Sequence, residues 1–408
     1  MRLFIVFASI LLSINIDALE VSDSRPPGVT GETWQFGPLN RWAYTHIREI
    51  LPTKNIANNP SFIQPIPGIE EAKKDLQINF DGQSVLLSEL MKSQFIDGIL
   101  IIKNGTAMVE LYGGTLKPNR THLMWSVSKT IAGLTAASVE ADGLINLSNT
   151  VGDYVPELTN SGWGENTLRE ILDMRDSSNW VEDYDSPEST VRRQDCADGL
   201  LTGPMCIDTA VIGNYKFLPA VGKEASRKGK FVYKSGTADV MAWVLEAATG
   251  KRYADLVSER LWKPIGAESN AGITVDVSGF TLASGGMFAS LRDTAKIGQL
   301  ILNKGQAGKT QVVPENWIND MTDQPGDNSI MPLGSESINP YYRSFIWGIG
   351  DGEGTVLANG VHGQFVYISP KTGVVITIFS TWPNADGGAP EVGLENAMEI
   401  IEAIKNSI

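Results

Sequence analysis

The sequence predicts a mixed α/β (α+β) fold, in which an antiparallel sheet is flanked by N- and C-terminal helices and carries an inserted, mainly helical subdomain. Two observations lead to this prediction. Hairpin patterns occur near both ends of the 408-residue chain, at 98–112 and 364–380, and the stretch from about 144 to 279 is mostly typical of helix and loop. Strands at both ends with helices between them are expected when terminal helices cover one sheet.

The first hairpin is predicted where two β-rich runs, 98–102 and 107–112, flank the dipeptide Asn104-Gly105. Asn-Gly between such runs is the strongest short hairpin signal, because both residues tolerate the positive φ angles of a type I′ turn. The second strand leads towards a helix that we expect over residues 126–142. That helix is predicted to end at Gly143, a residue type that favours a left-handed C-terminal cap.

The other regular elements follow from helical periodicity, from glycine at helix ends and from β-rich runs around a turn. The strands of the second hairpin flank the turn Pro370–Gly373. The predicted helices are 168–174, 238–249, 289–302 and about 391–406, and the predicted strands are 364–369 and 374–380.

The composition is that of an ordinary globular protein, with 42% hydrophobic and 20% charged residues. The formal net charge is −14 at pH 7. We therefore expect no nucleic-acid partner, because an acidic surface repels phosphates.

Residues 1–18 resemble a secretory signal peptide, in which Arg2 precedes the apolar run 3–12. Ile16 stands where a small residue is usual, three positions before the cut, so a retained membrane anchor is the alternative. Because the apolar run is short for a spanning helix, we expect export to the periplasm or the medium. No stable membrane insertion is expected after removal of the signal.

The rest of the chain is predicted to form an N-terminal extension, residues 19–68, and a main domain, residues 69–408. The extension carries large apolar residues, so it is expected to pack on the main domain and not to form a free tail. The helical subdomain of the main domain is predicted at about 144–279.

The chain has two cysteines, Cys196 and Cys206. Export would allow a disulfide between them, and a loop of this length contributes about 2–3 kcal/mol in the chain-entropy model. Two unpaired thiols are the alternative. The bridge is the favoured prediction, and it depends on export.

The pattern Ser126-Val127-Ser128-Lys129 indicates a hydrolytic site. Residues three apart share one face of a helix, so the Lys129 amine is expected one turn from the Ser126 hydroxyl. An amine held partly out of water has a lowered pKa and can accept the proton of the serine. This is the Ser-x-x-Lys arrangement of serine hydrolases that need no histidine base. The pattern alone also occurs by chance, so its surroundings decide its meaning.

A serine–lysine site also needs a group that protonates the leaving group, and Tyr233, in Tyr233-Lys234-Ser235, is the candidate. A tyrosine near a lysine ammonium is expected to have a lowered pKa, which suits a proton relay. The alternative is a half-buried tyrosine that caps the following helix.

A strand edge is expected to close the site and to complete an oxyanion hole with backbone N–H groups. The segment Val361–Gln364 fits, because Gly363 allows close approach of the backbone and Gln364 opens the next strand. The predicted oxyanion donors are the backbone N–H groups of Ser126 and Gln364, with His362 and Gly363 beside the substrate. The alternative is a turn glycine next to a surface histidine.

In order and in kind, Ser126-x-x-Lys129, Tyr233-x-Ser235 and His362-Gly363 resemble the three motifs of the penicillin-recognising serine hydrolases. The class C β-lactamase-like branch is the most similar, because 283–287 and 293–298 resemble its segment between the helical region and the final strands. The resemblance implies a β-lactamase/transpeptidase-like fold and hydrolysis through an acyl-enzyme on the serine.

Within that branch the chain resembles the 6-aminohexanoate-dimer (nylon-oligomer) hydrolase group at Asn40–Ala43, Arg48-Glu49, Glu182–Tyr184 and Gly360–Gln364. The resemblance implies that Tyr184, on a loop over the site, contacts the scissile amide nitrogen. It also implies that Asp195 binds the amino end of the substrate and that Trp347 forms an aromatic wall of the pocket. A core position is the alternative for Trp347.

The chain departs from true class C β-lactamases at two motifs. Ser235 stands where those enzymes have an asparagine, and Val361-His362-Gly363 takes the place of Lys-Thr-Gly on the closing strand. The Lys371-Thr372-Gly373 sequence lies in a predicted turn between two strands, so it does not supply the motif. Both departures argue against strong turnover of β-lactams.

The sequence lacks the Gly-x-Ser-x-Gly elbow of α/β-hydrolases and the His-Glu-x-x-His pattern of zinc hydrolases. No metal or other cofactor is therefore expected. The predicted function is that of an exported serine hydrolase that cleaves a small amide through an acyl-enzyme on Ser126, with Lys129 and Tyr233 in acid–base roles. A carboxylesterase on the same site and a catalytically silent, penicillin-binding-like sensor are the alternatives. The expected partner is a small-molecule amide or ester, and no oligomeric state is predicted.

Overall fold

The computed structural model describes residues 23–72, 74–207, 210–389 and 392–408. The predicted signal peptide, residues 1–18, lies outside these ranges. Within them, no helix is both long and apolar enough to cross a membrane. The mixed α/β class with antiparallel sheets that the sequence predicts is confirmed.

The strands of the described ranges are numbered in chain order, and both predicted hairpins are among them. The strands are β1 Thr53–Ile56, β2 Gln77–Phe80, β3 Gln83–Leu86, β4 Ile96–Lys103, β5 Thr106–Tyr112, β6 His122–Leu123, β7 Ala271–Thr274, β8 Met287–Ala289, β9 Gln306–Ala307, β10 Thr310–Gln311, β11 Tyr341–Arg343, β12 Ile346–Gly348, β13 Val356–Gly360, β14 Gln364–Ser369 and β15 Val374–Ser380.

The α-helices of the same ranges include all those that the sequence predicts, with ends shifted by a few residues. Gly143 and Gly250 follow two of them with φ angles of 70° and 68°, as expected of C-terminal caps. The helices are α1 Asn40–Ala43, α2 Leu87–Ser93, α3 Val127–Ala141, α4 Val151–Tyr154, α5 Leu168–Leu172, α6 Thr190–Ala197, α7 Asn214–Phe217, α8 Ser235–Thr249, α9 Tyr253–Val257, α10 Leu291–Leu302, α11 Glu315–Thr322 and α12 Leu394–Ser407.

The main sheet has seven strands in the order β11-β12-β13-β14-β15-β4-β5, and its neighbouring strands are antiparallel. Side chains alternate between its two faces. On one face Ile101 and Ile376 join a cluster with Ile401 of α12, and on the other Ile102 and Val375 join a cluster that includes α10. Because both faces are covered, the central strands are nearly continuous apolar runs.

A second, four-stranded sheet has the order β1-β7-β8-β6 and was not expected from the sequence. Strand β7 falls inside the stretch 144–279 that is predicted to be mostly helix and loop, and the other named elements of the described residues in that stretch are helical. All four residues of β7 are buried. The strand therefore lacks the alternation of polar and apolar residues that marks a strand in a sequence.

The same sheet explains why α10 begins later than predicted. Ala289 belongs to β8, and Ser290 caps the helix by accepting a hydrogen bond from the Asp293 backbone N–H at 3.1 Å. The predicted helix start at Ala289 is therefore wrong by two residues.

The N-terminal segment packs on the body through an aromatic cluster. Trp34, Trp42 and Tyr44 are buried together with Leu123 of β6 and Phe288 of β8. The segment thus covers the outer side of the second sheet, next to the start of α3.

Helix α3 lies in the interior, and every residue from Val127 to Val139 is buried. It packs on α8 and on strands of the main sheet. Burial on all sides is typical of a helix at the centre of a domain. The surrounding elements therefore restrain the residues just before α3 and in its first turn, which include Ser126 and Lys129.

We expect Gly133→Ala to destabilise the protein. A Cβ atom at Gly133 would overlap the backbone carbonyl oxygen of Ser344, which the helix cannot easily avoid because it is packed on all sides. Overpacking of this kind costs about 1–3 kcal/mol, and urea denaturation measures it. Gly28→Ala is the control, because its Cβ would meet only the flexible end of Leu39. Equal unfolding midpoints for Gly133→Ala and the parent protein would contradict the expectation.

Candidate active site

Ser126 lies at the turn from β6 into α3. Trp125, just before it, has a φ angle of 45°, which is a strained value for a bulky residue. Its indole is held between two rings, stacking on Trp34 with centroids 5.7 Å apart and on His362 at 5.7 Å. This turn places Ser126 at the helix start with its side chain at the cavity wall.

Lys129 follows one turn later, and its Nζ atom lies 2.7 Å from Ser126 Oγ. The amine also donates a hydrogen bond to the Ser284 carbonyl oxygen at 2.5 Å. Burial lowers the pKa of Lys129 to about 8, although the charges of Glu182 and Asp239 act in the opposite direction. A neutral amine next to the serine hydroxyl is therefore accessible near neutral pH.

Tyr233 lies next to the Ser126–Lys129 pair. Lys129 Nζ is 5.2 Å from the centre of its ring, and the ring stacks on Trp347 at 5.5 Å. Burial and the charge of Glu182 raise the pKa of Tyr233 above its ordinary value, against a smaller effect of its hydrogen bond with Ser126. The lowered pKa expected from the sequence is therefore wrong, because burial outweighs any effect of the lysine. The phenol keeps its proton at neutral pH.

A buried ion pair fixes the position of Tyr233. Its neighbour Lys234 is fully buried and donates hydrogen bonds to the Asp176 carboxylate at 2.8 Å and to the Asp176 carbonyl oxygen at 2.6 Å. Thr237, in the first turn of α8, donates to the same carboxylate at 3.0 Å. The chain is thus held directly after the tyrosine.

The strand edge at the site differs from the one predicted. Gly360, at the end of β13, lies so close to the turn that an added Cβ would be 2.8 Å from Met124 O and 3.0 Å from Ser126 N. Val361, the next residue, lines a cavity together with Ser126. Gln364 is fully buried and its side chain donates to the carbonyl oxygens of His362 and Ser380. The structure thus brings Val361, and not Gln364, to the serine.

His362 and Gly363 support the site from behind. Nδ1 of His362 lies 2.8 Å from the Trp382 carbonyl oxygen, and burial lowers the pKa of His362 to about 4. Gly363 has a φ angle of 82°, and a Cβ there would meet the Trp382 indole at 2.5 Å. Among the described residues, those lining the two cavities at Ser126 include neither of them. The predicted place of both beside the substrate is therefore wrong, because the turn points them at Tyr44, Trp125 and Trp382.

Two cavities meet at Ser126, and Tyr184 lines both. We call the first the Asp195 cavity; its lining includes Trp34, Trp125 and Asp195. The second, the Trp347 cavity, has a volume of about 580 Å³ and is lined by Tyr233, Trp347 and Val361, among others. Within the described ranges, no set of three or more His, Cys, Asp or Glu side chains is grouped so as to hold a metal ion.

Asp195 lies in α6 and is already paired. Arg192 Nη1 donates to its Oδ2 atom at 3.0 Å. Arg192 also donates to Gln35 Oε1 at 2.8 Å and to the Tyr184 carbonyl oxygen at 2.7 Å. Burial raises the pKa of Asp195, while Arg192 acts in the opposite direction. A cationic substrate group in this cavity would share the carboxylate with Arg192.

Trp347 lies in β12 and fits both interpretations of the sequence, as a wall of the pocket and as a core residue. It lines the Trp347 cavity and also packs against the hydrophobic core. Its stacking on Tyr233 makes the two rings a continuous aromatic wall.

Cys196 and Cys206 form a disulfide, with their Cα atoms 5.4 Å apart. The bridge ties the C-terminal end of α6 to the turn Gly203–Met205. Since Asp195 directly precedes Cys196, the disulfide also restrains the segment that lines the Asp195 cavity.

Glu182 is a site residue that the sequence does not predict, although the Glu182–Tyr184 run belongs to the family resemblance. Its carboxylate accepts hydrogen bonds from the Tyr184 hydroxyl, from the Trp180 indole and from both the backbone N–H and the hydroxyl of Ser235. The only sequence signal was the short Glu182-Asp183-Tyr184 run in a loop. Its partners from the start of α8 come from 53 residues further along the chain, so only the folded structure shows the cluster.

Comparison with known proteins agrees with this geometry. The family model described as Beta-lactamase matches residues 86–395. A 6-aminohexanoate-dimer hydrolase of Paenarthrobacter ureafaciens is 32% identical over 380 residues, which cover 89% of this chain and 92% of that protein.

Solved structures show the same fold. A Bacillus anthracis protein provisionally named a 6-aminohexanoate-dimer hydrolase superimposes with a TM-score of 0.79 at 27% identity, covering 93% of this chain and 95% of its own. A D-stereospecific amidohydrolase of Streptomyces sp. gives a TM-score of 0.54 at 16% identity over 77% of this chain and 95% of its own, and shares the fold alone. The resemblance drawn from the three motifs is confirmed, and the chain belongs to the beta-lactamase family.

Proposed function

We propose that this protein is an exported serine hydrolase that cleaves small linear amides of the 6-aminohexanoate-oligomer type. The observation that carries the proposal is the 2.7 Å approach of the buried Lys129 amine to the Ser126 hydroxyl. The 32% identity with a 6-aminohexanoate-dimer hydrolase over most of both chains supports the choice of an amide substrate.

Acylation begins with transfer of the hydroxyl proton of Ser126 to neutral Lys129. The serine oxygen then attacks the substrate carbonyl carbon, and the carbonyl oxygen becomes an oxyanion. The backbone N–H groups of Ser126 and Val361 bind this oxyanion, since Gly360 brings the end of β13 against the serine. Glycine at that position is needed for the close approach.

The leaving amine receives its proton from Tyr233. Its raised pKa keeps the phenol protonated, so it donates to the nitrogen as the C–N bond breaks and recovers a proton from the Lys129 ammonium. Water then attacks the acyl-enzyme, and the same groups return the proton to Ser126. The free amine and the free carboxylic acid are the products.

We assign the two cavities to the two halves of the substrate from the position of Tyr233. Tyr233 lines the Trp347 cavity and must reach the leaving nitrogen, so the amine product occupies that side. The acyl part then extends into the Asp195 cavity.

We expect a fluorophosphonate probe to label the protein at Ser126 and Ser126→Ala to lose both labelling and hydrolysis of 6-aminohexanoate dimer. Mass spectrometry of the labelled peptide and product chromatography measure the two effects. Lack of an adduct on Ser126, together with an active Ser126→Ala variant, would contradict the proposal. Hydrolysis of esters without any amide hydrolysis would favour the carboxylesterase, and a stable adduct without turnover would favour the silent sensor.

We expect kcat/KM to rise with pH through an apparent pKa of about 8. Lys129 accepts the serine proton only when it is neutral, and burial lowers its pKa from 10.5 to about 8. Below that value the rate falls about tenfold per pH unit, because the neutral fraction does so. Lys129→Arg is the control, since a guanidinium keeps the charge but does not become neutral, and it should be inactive at all pH values. A flat profile between pH 6 and 9 would contradict this role.

We expect the mature protein to begin close to residue 19 when it is made in a host with a secretory pathway. The composition of residues 1–18 and the Cys196–Cys206 disulfide, a bond typical of oxidising compartments, support export. N-terminal sequencing of the protein from the exported fraction measures the cut. A chain found only in the cytosol with Met1 intact would contradict export.

A further inference from the structure

The Glu182 carboxylate lies at the edge of the site and accepts four hydrogen bonds. The Tyr184 hydroxyl donates to Oε1 at 2.6 Å, and the Ser235 hydroxyl donates to the same oxygen at 2.5 Å. The Ser235 backbone N–H and the Trp180 indole donate to Oε2 at 2.8 and 2.6 Å. An ionised carboxylate accepts about four hydrogen bonds in total, so this one is fully occupied by the protein.

The four donors determine the direction of the Tyr184 hydrogen bond. A backbone N–H and an indole N–H can only donate, so the carboxylate acts as an acceptor towards them. Burial and the charge of Glu182 raise the pKa of Tyr184, which therefore keeps its phenolic proton. That single proton is given to Glu182.

The oxygen of Tyr184 is then left with lone pairs only. Tyr184 lines both cavities beside Ser126, so its side chain lies next to the place where the two halves of a substrate would meet. A secondary amide places an N–H donor there. An ester oxygen has no proton to donate, and an N-methylated amide has lost its donor, so either group would leave the buried acceptor unpaired.

We infer that Glu182 is a positioning residue that makes the Tyr184 hydroxyl an obligate hydrogen-bond acceptor, and that the pair thereby selects secondary amides over esters and tertiary amides. The inference rests on the proposed function and specifies its substrate class. The contact of Tyr184 with the scissile nitrogen, which the family resemblance implies, thereby gains a direction: Tyr184 accepts from the N–H, while Tyr233 supplies the proton to the nitrogen.

The test compares three substrates that share the 6-aminohexanoyl group: a p-nitroanilide, its N-methyl analogue and a p-nitrophenyl ester. In Glu182→Gln the side-chain oxygen keeps the two N–H donors and the side-chain NH₂ group faces the two hydroxyls. Tyr184 is then free to turn its proton towards the substrate. We expect the ratio of kcat/KM for the anilide to kcat/KM for the ester to fall about tenfold, the size of one lost hydrogen bond to a buried acceptor. The preference for the anilide over its N-methyl analogue should fall with it.

Two further variants separate this effect from general damage. Glu188→Gln makes the same change at an exposed position of the same loop that lines neither cavity, and both ratios should stay at the parent value. Tyr184→Phe removes the acceptor, so it should lower both ratios, and adding Glu182→Gln to it should change them no further. Glu182→Asp keeps the charge and should retain more of the parent ratio than Glu182→Gln.

Equal losses on all three substrates in Glu182→Gln would overturn the inference, because they would show a purely structural role. A further change of the ratios when Glu182→Gln is added to Tyr184→Phe would also overturn it. Should Glu182→Gln fail to fold, Tyr184→Phe decides alone, and an unchanged preference for the anilide over its N-methyl analogue rejects the inference. Failure of the proposed function is a separate result, since then the ester too would be turned over by Ser126→Ala.

Discussion

The proposed chemistry of this site depends on the burial of one amine, that of Lys129. Lys129 is 1% exposed, and its Nζ atom contacts the Ser126 hydroxyl and the Ser284 carbonyl oxygen. Removing an ammonium from water is costly. Burial therefore favours the neutral amine and lowers the pKa of Lys129 to about 8. A surface lysine at the same helical spacing would stay charged and would not accept the serine proton. The buried position of α3 is therefore a chemical requirement as well as a packing feature.

The elements around α3 keep this pair closed and aligned. The seven-stranded sheet presents Gly360 to the backbone of Ser126, and the second sheet leads into the serine through Trp125. The N-terminal segment adds Trp34, which stacks on Trp125. The fully buried ion pair of Lys234 with Asp176 holds the chain at Tyr233. Four separate parts of the structure thus fix groups that act on one bond.

The Glu182 carboxylate affects the two tyrosines of the site, Tyr184 and Tyr233, in different ways. Burial and, to a smaller extent, the charge of Glu182 raise the pKa of both tyrosines, so each phenol remains protonated, but the two protons have different destinations. The Tyr184 proton is bound by Glu182, whereas Tyr233 faces Ser126 and Lys129. Two similar side chains therefore have opposite roles, one as an acceptor and one as a donor, and the difference arises from a single carboxylate.

The sequence by itself determined whatever depends on neighbours along the chain. Helical periodicity places Lys129 one turn from Ser126, and Asn104-Gly105 sets the first hairpin, because both are local effects of backbone geometry. Only the tertiary structure decided which backbone reaches the serine: Val361 lies there instead of Gln364, since the answer depends on how β13 packs against α3. Strand β7 and the Glu182 cluster could not be predicted from the sequence for the same reason, because their partners are remote in the chain. Burial likewise reversed the expected direction of the Tyr233 pKa shift, and no local pattern reports how much water a folded interior excludes.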